Sequence, residues 1–339
     1  MEPSSRVTIR DVAARAGVSV ATVSKVINNR YGVASDTTAR VQAVIQELGY
    51  EASLVAQSLR NHRTNVIGIL VADLEPFSTE LLKGVADAIR YSGFELVIYS
   101  AGGHARDRVG WERRYLSRLS GTLIDGAVLV TPTVVDVNYG APIVAIDPHT
   151  GQSGLPTVDS DNLRGAQLAT GHLLSLGHRR IGMLTGRPDL ESAQLRERGY
   201  REALRAAGVS VDESLIRLGA YDSEVSLEQA RLLLTAPEPP AAVFAANDMS
   251  AIATIEAATE LGLRVPADLS VVGFDNIPES ALCAPPLTTV EQPIRKMGER
   301  SIELLLSLIR GEKLPATHIT LATSLVIRQS TRAWRPPSR

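Results

Sequence analysis

Residues 8–28 read TIRDVAARAGVSVATVSKVIN, and their spacing describes two short helices joined by a tight turn. Thr8 stands where a helix N-cap belongs, with Asp11 three residues on to complete a capping box and to suit the positive end of the helix dipole. Val12, Ala13 and Ala16 form one apolar face, and Gly17 supplies the left-handed residue that ends the helix. Val18 then turns inward, and Ser19 caps a second helix. In that helix Val23, Val26 and Ile27 recur at i, i+3 and i+4, which leaves Val20, Ala21, Thr22, Ser24, Lys25 and Asn28 facing outward or sideways. A helix-turn-helix lays the N-terminal part of its second helix against base edges in the major groove. Small side chains there permit close approach, and Lys25 can donate to guanine. These six residues, with Thr8 and Ser19 at the two caps, are the expected DNA contacts.

Working outward, Ser35 is expected to cap a third helix, SDTTARVQAVIQEL, ended by Gly49. Its stripe of Val41, Val44, Ile45 and Leu48 would close a three-helix core over Val12, Val23 and Ile27. Tyr50 to Arg60 follows as a short segment with Leu54, Val55, Ala56 and Leu59, too short to be stable alone, and the polar string NHRTN leads away from it.

At residues 8–28 the chain resembles the lactose-repressor and galactose-repressor (LacI/GalR) family of bacterial transcription regulators. The shared pattern T-I-x-D-V-A-x-x-A-G-V-S-x-x-T-V-S-x-V-I-N is met at every specified position. The resemblance implies that Tyr50–Arg60 is a hinge helix that folds on DNA, pairs with its dimer mate and wedges Leu59 into the minor groove. The hinge departs from the family's usual residues at Ala52, Ser53 and Gln57.

Net charge over the 339 residues is −2, but residues 1–64 hold eight Lys or Arg against five Asp or Glu, so a head of about +3 precedes a remainder near −5. So modest a basic head would hold phosphates weakly alone, and two copies in a dimer are expected to share the task. No apolar run approaches the roughly 18 residues a membrane helix needs, and the polar N-terminus lacks the apolar core of a signal peptide, so a cytoplasmic location is expected. A single cysteine, Cys283, rules out an internal disulfide and a Cys-rich zinc site. No cofactor or metal is expected.

From Val66 short apolar runs alternate with helical patterns: VIGILV, ELVIYS, GAVLV and PIVAID, then IGMLT, LIRLG, AAVFA and LSVVGF. This alternation describes α/β units with doubly wound parallel sheets. Helix Ile294–Ile309 and the tail ITLATSLVI could return the chain to both units. The expected organisation is a helix-turn-helix headpiece at 1–50, a hinge helix and linker at 51–64, and two effector-binding subdomains, at 65–160 plus 291–320 and at 161–290 plus 321–339. The resemblance implies that the two subdomains form a periplasmic-binding-protein-like body.

Ligands of open α/β sheets bind beyond the carboxyl ends of the strands, so two facing units enclose a cleft. The polar groups at those ends are Asp147, Asn247, Asp248, Asp275 and Asn276, with Asp248 better read as a helix cap. Carboxylates and amides so placed suit vicinal hydroxyls, the chemistry of sugars. The resemblance adds Arg196 as a ligand clamp ahead of Gly199 and Tyr200, Tyr221 as a stacking aromatic, and Phe77 in the first cleft loop. That loop reads DLEPFS rather than the family's Asn-Pro-Phe, and the string VVGFDN supports Asp275. The expected effector set is thus Phe77, Asp147, Arg196, Tyr221, Asn247 and Asp275.

An enzyme would need a motif, and the chain has no glycine-rich phosphate loop of either common type, no GxSxG and no HExxH. His178 in GHRRIG reads as solvated or capping. A transport-type sugar receptor is disfavoured by the attached headpiece. The resemblance implies a homodimeric repressor on a near-palindromic operator, with a sugar-type inducer or, as in part of the family, a purine co-repressor. No heptad-bearing segment follows Ser330, so a tetramer through a C-terminal coiled coil is not expected.

Overall fold

A computed structural model describes residues 7–27, 30–50, 63–101, 110–120, 123–133, 140–149 and 154–335. The chain divides into two compact units between Thr64 and Asn65.

In the first unit, helices α1 (Ile9–Ala16), α2 (Val20–Ile27) and α3 (Ser35–Leu48) pack around Val12, Ala13, Ala16, Val23, Val26, Val41 and Val44. Ile27, Ile45 and Leu48 lie against this cluster, as the apolar stripes require. The α1 capping box forms: the Thr8 backbone N–H and hydroxyl both donate to Asp11 Oδ2, at 2.8 and 2.7 Å, and these bonds hold the Asp11 carboxyl below its usual range. Gly17 ends α1 at φ 64°, and Ser19 Oγ accepts from the Thr22 backbone N–H at 3.1 Å. The third helix begins one residue earlier than its cap was expected. Ala34 is the N-cap and Ser35 the first helical residue, and Thr38 Oγ1 donates back to the Ala34 carbonyl.

The second unit holds two six-stranded sheets. The first contains β1 (Val66–Val71), β2 (Glu95–Ser100), β3 (Gly126–Val130), β4 (Ile143–Ile146), β5 (Thr157–Ser160) and β11 (His318–Leu321), in the order β11-β5-β4-β3-β1-β2, parallel throughout. The second contains β6 (Ile181–Thr185), β7 (Ile216–Leu218), β8 (Ala242–Ala245), β9 (Ser270–Asp275), β10 (Thr288–Glu291) and β12 (Ser324–Val326), in the order β12-β10-β9-β8-β6-β7. Only β12 is antiparallel, an edge strand on an otherwise parallel sheet. Strands buried on both faces read as continuous apolar runs, which is why VIGILV and GAVLV lack alternation.

The sequence pattern missed β5 (TVDS) and β10 (TTVE), both short and polar. These strands lead into the crossings between halves. Chain passes from first half to second after β5, back after β10, and across again between β11 and β12. Because Glu291 still pairs with Asp275, and Leu321 with Ser160, the last two crossings fall one to two residues beyond the expected divisions at 290/291 and 320/321.

The helices that position the site are α4 (Pro76–Ile89) and α5 (Trp111–Leu119) in the first half. In the second half they are α6 (Asn162–Ser175), α7 (Glu191–Ala206), α8 (Ser223–Leu234), α9 (Asp248–Glu260) and α10 (Pro278–Leu282). The last helix, α11 (Ile294–Ile309), buries Met297, Ile302 and Leu305 in the core of the first sheet. On α7, Gly199 allows close approach to α6, since a Cβ there would lie 2.4 Å from the Leu163 carbonyl oxygen. Tyr200 beside it is buried and donates to the Ile181 carbonyl at 2.7 Å. His178 is buried rather than solvated, its Nε2 3.0 Å from the Arg332 carbonyl. Among the described residues no helix is long and apolar enough to cross a membrane.

Candidate effector cleft and nucleic-acid interface

In the first unit, Ser19, Val20, Ala21 and Lys25 are exposed, while Thr22 and Ser24 are half-buried. Ser19, Ala21, Thr22 and Lys25 line one surface depression with Gly32–Ala34 and Thr37 of the following segment. The Thr8 side chain is engaged in its capping box, and the Ser19 hydroxyl in its own cap. Asn28 and Leu59, with residues 51–62 of the expected hinge and linker at 51–64, lie outside the described residues.

In the second unit a cleft of about 970 Å³, open mouth included, lies at the carboxyl ends of both sheets. All six expected effector residues line it: Phe77, Asp147, Arg196, Tyr221, Asn247 and Asp275. Phe77 comes from the first turn of α4, and Asp147 follows β4 directly. The other four belong to the second half, at the ends of β8 and β9, after β7, and on the second turn of α7.

The backbone at these strand ends is unusual. Thr131, Asp147, Tyr221 and Asp275 adopt φ of 47°, 44°, 60° and 120°, a region that non-glycine residues seldom occupy and that concentrates at functional sites. Gly186, just past β6, makes room for Tyr221, because a Cβ there would lie 2.2 Å from the tyrosine ring.

Arg196, only 4% exposed, is the centre of a buried network. Its Nε donates to Asn162 Oδ1 at 2.9 Å, and its Nη1 donates to the Ala246 carbonyl at 2.5 Å and to Asp275 Oδ1 at 3.4 Å. The guanidinium stacks 3.8 Å from the centroid of Phe274, within cation–π range. Asp275 also accepts from Gln292 Nε2 at 2.6 Å, and Gln292 Oε1 accepts from Ser160 Oγ at 2.5 Å. The network thus runs from the cleft to the first two crossings between halves. Burial pushes the Asp275 carboxyl up to about 6, against the pull of Arg196 and Gln292. Arg196, expected as a ligand clamp, is thus held as a structural pin by contacts within the protein.

Asn247 and Asp248 also differ from their expected roles. Asn247 is the N-cap of α9, its Oδ1 accepting from the Ser250 backbone N–H at 3.0 Å, so its oxygen is engaged although the residue lines the cleft. Asp248 is not the cap. It is wholly buried and accepts from the Ile277 N–H at 2.9 Å and the Thr289 hydroxyl at 2.5 Å, tying the end of β9 to β10.

Across the cleft, Asp147 is 8% exposed and its side chain accepts no hydrogen bond among the described residues. Burial, reinforced by Asp159, Asp275 and Glu191 and opposed by Arg196, pushes its carboxyl up to about 7. Two donors lining the same cleft are also without partners: the buried Nε1 of Trp111 and the hydroxyl of Tyr221. Ser192 lies near enough to influence the Tyr221 hydroxyl but not in hydrogen-bonding geometry. Sequence reasoning missed Trp111. Its ring packs edge-on to Tyr115, centroids 5.7 Å apart, and the neighbouring Glu112 accepts from the Thr133 N–H and hydroxyl at 2.6 and 3.0 Å. Those bonds staple the start of α5 to the loop after β3. Sequence reasoning also missed a bridge between the halves, His149 Nδ1 to Asp189 Oδ2 at 3.1 Å. Burial lowers the His149 pKa, and Arg187 reinforces that against Asp189. Among the described residues no group of His, Cys, Asp and Glu is placed to hold a metal.

Residues 8–53 match the family described as "Bacterial regulatory proteins, lacI family", and residues 170–331 match the "Periplasmic binding protein-like domain". The regulator DegA of Bacillus subtilis is 36% identical over 336 residues, covering 96% of this chain and 98% of that protein. The chain belongs to the LacI family. Like other LacI-family members it is a DNA-binding transcriptional regulator that joins a helix-turn-helix to an effector-binding body. The ribose operon repressor of Escherichia coli K12 is 35% identical, over 95% of this chain and 99% of that protein. Among solved LacI-family structures, the lac repressor dimer bound to operator and the anti-inducer ONPF aligns with a TM-score of 0.84 at 29% identity, over 97% of this chain and all of that one.

Proposed function

We propose that the protein represses transcription as a homodimer on a near-palindromic operator, and that a sugar-type effector in the cleft releases it. The observation that carries this reading is the convergence of six residues from separate strand ends and helices on one cleft, in a chain that also presents the face of α2. Solved relatives support it: a CelR complex holds cellobiose, at 33% identity and a TM-score of 0.71, and a LacI-family regulator from Enterococcus faecium holds ribose. Apolar side chains open to solvent, Ile98 on edge strand β2 and Leu282 at the end of α10, are available to a second copy. A ligand between the halves alters DNA affinity through its different affinity for two arrangements of them. The residues fill binding roles, and none is assigned a catalytic one.

The test is selection of operator sequences from random DNA, followed by titration with sugars. Lys25→Ala should lose preference at one base pair per half-site, by about 1–3 kcal/mol. A uniform loss with a shallower salt dependence would make Lys25 a phosphate contact instead. Sugar should weaken operator binding. Tighter binding with ligand would reverse the sense to co-repression, and failure to select any sequence would remove the DNA reading.

A further inference from the structure

Asp275 stands at the cleft on backbone that its residue type does not favour, and part of what holds that backbone lies outside the cleft. Asp275 and Asn276 follow one another at φ of 120° and 57°, and neither is glycine. Two adjacent residues in sparsely occupied backbone persist only where their surroundings over-determine them. On the near side, Arg196 and Gln292 hold the Asp275 carboxyl. Past the turn, buried Asp248 accepts from the Ile277 N–H at 2.9 Å. Asn276 stands between these two anchors.

Its side chain is held from the C-terminal segment. Arg328, two residues past β12, donates from Nη2 to Asn276 Oδ1 at 2.6 Å. From Nη1 it donates to the Leu287 carbonyl at 2.7 Å and to the Ser280 hydroxyl at 3.1 Å, and that hydroxyl donates in turn to the Ile277 carbonyl at 2.6 Å. The backbone that carries Arg328 is itself fixed. Its N–H donates to Thr288 Oγ1 at 3.0 Å, and Ser330, fully buried, bonds to both Val271 and Thr288. One planar fork therefore gathers acceptors from the turn, from α10 and from the residue ahead of β10. Asp275 lines the cleft, whereas neither Asn276 nor Arg328 is among the described residues that do.

We propose, resting on the effector reading above, that Arg328 is a positioning residue for the effector. By holding Asn276 at positive φ it fixes the direction of the Asp275 carboxyl at the cleft, and so sets effector affinity without touching the ligand. Arginine suits the task because its ionised fork presents donors in two fixed directions. The single ammonium of a lysine cannot span Asn276 and Leu287 at once.

Ribose, glucose, cellobiose and adenosine would be screened against the full-length protein by thermal shift. Each compound that binds would then be titrated by calorimetry, well below the melting temperature of every variant. Arg328→Gln should weaken the bound compound about tenfold, the loss expected of one charge-assisted hydrogen bond. Arg328→Lys should weaken it as well, although the charge is kept. A role in folding alone would lower the melting temperature and leave the affinity of the folded protein unchanged. The route through Asn276 is tested by Asn276→Gly, which admits positive φ but offers Arg328 no acceptor. It too should weaken the ligand, and the double variant with Arg328→Gln should bind within about twofold of the weaker single variant, since the two residues act as one unit. Unchanged affinity in either Arg328 variant overturns the proposal. So do losses that multiply in the double variant, and both results leave the effector reading standing. If none of the four compounds binds the parent, the effector reading falls and takes this proposal with it. Should Arg328→Gln fail to fold, as judged by circular dichroism, Arg328→Lys, alone and combined with Asn276→Gly, decides in its place.

Discussion

The two halves of the body share a doubly wound architecture but treat their polar groups at the cleft in different ways. In the second half Arg196, Asn247 and Asp275 are bonded to one another, to the backbone or to neighbouring side chains before any ligand arrives. In the first half Asp147 and Trp111 line the cleft, and among the described residues neither the carboxyl nor the buried indole N–H has a hydrogen-bond partner. Apart from the unpartnered Tyr221 hydroxyl, the second half is thus a preorganised platform, whereas the first half has contacts still to make. A ligand that completes those contacts draws on both halves at once, which is what a sensor of their relative arrangement requires.

The strongest way to break this comparison is to remove the pin of the platform. Arg196→Ala leaves buried Asp275 with Gln292 alone, takes the donor from Asn162 Oδ1 and leaves the face of Phe274 uncovered. It should destabilise the body by about 3–5 kcal/mol in urea unfolding, besides abolishing the ligand response. A loss under 1 kcal/mol would show that Arg196 serves the ligand alone. Next, Gln292→Leu cuts the link from Asp275 to Ser160 and should cost about 1–3 kcal/mol. If the link also couples the cleft to the crossings, this variant will bind effector yet release operator less completely.

Asp147 provides a test on the open side. Its carboxyl titrates near 7 in the folded protein, well above the ordinary 3.8, so the native state keeps a proton that the unfolded chain gives up. That contribution to stability is whole below about pH 4 and is lost as pH rises through 7. Asp147→Asn should therefore match the parent in stability near pH 4, exceed it increasingly up to about pH 7 and keep a level advantage above that, on the order of 4 kcal/mol. Parallel curves would mean that the carboxylate is already paired. The smallest effect is expected at the bridge between halves. His149→Gln should cost under about 1 kcal/mol, because Asp189 is half-exposed and keeps Arg187, and its readout is the radius of gyration by small-angle scattering.

How much was legible in sequence follows from how local each signal is. The headpiece was readable because caps, turn glycine and apolar stripes fall within a few residues of one another. The six strand-end and clamp residues were readable from their place after apolar runs and from the family resemblance. Arg196 was legible as a cleft residue but not as a pin, since its partners Asn162, Ala246 and Asp275 lie 34, 50 and 79 positions away. Strands β5 and β10 were not readable, because a four-residue polar segment carries no periodicity. Trp111 was hidden for the opposite reason: with Tyr115, Leu116 and Leu119 it reads as the apolar stripe of a helix, and only packing shows that it lines the cleft.

The positive φ angles at the cleft also bear on how such a sensor can be reprogrammed. Asp147 at 44° and Asp275 at 120° occupy backbone that admits glycine, asparagine and aspartate far more readily than β-branched or bulky residues. A library built at these two positions would therefore sample a short alphabet, with most variants lost to misfolding before any ligand is tried. Phe77 and Ser192 sit half-buried in first turns of helices, on ordinary helical backbone that restricts the choice of residue less, whereas Trp111 is held in the core of the first half. Retargeting this regulator to a new effector should begin from Phe77 and Ser192, with the aspartates left as the fixed frame around which recognition is redrawn.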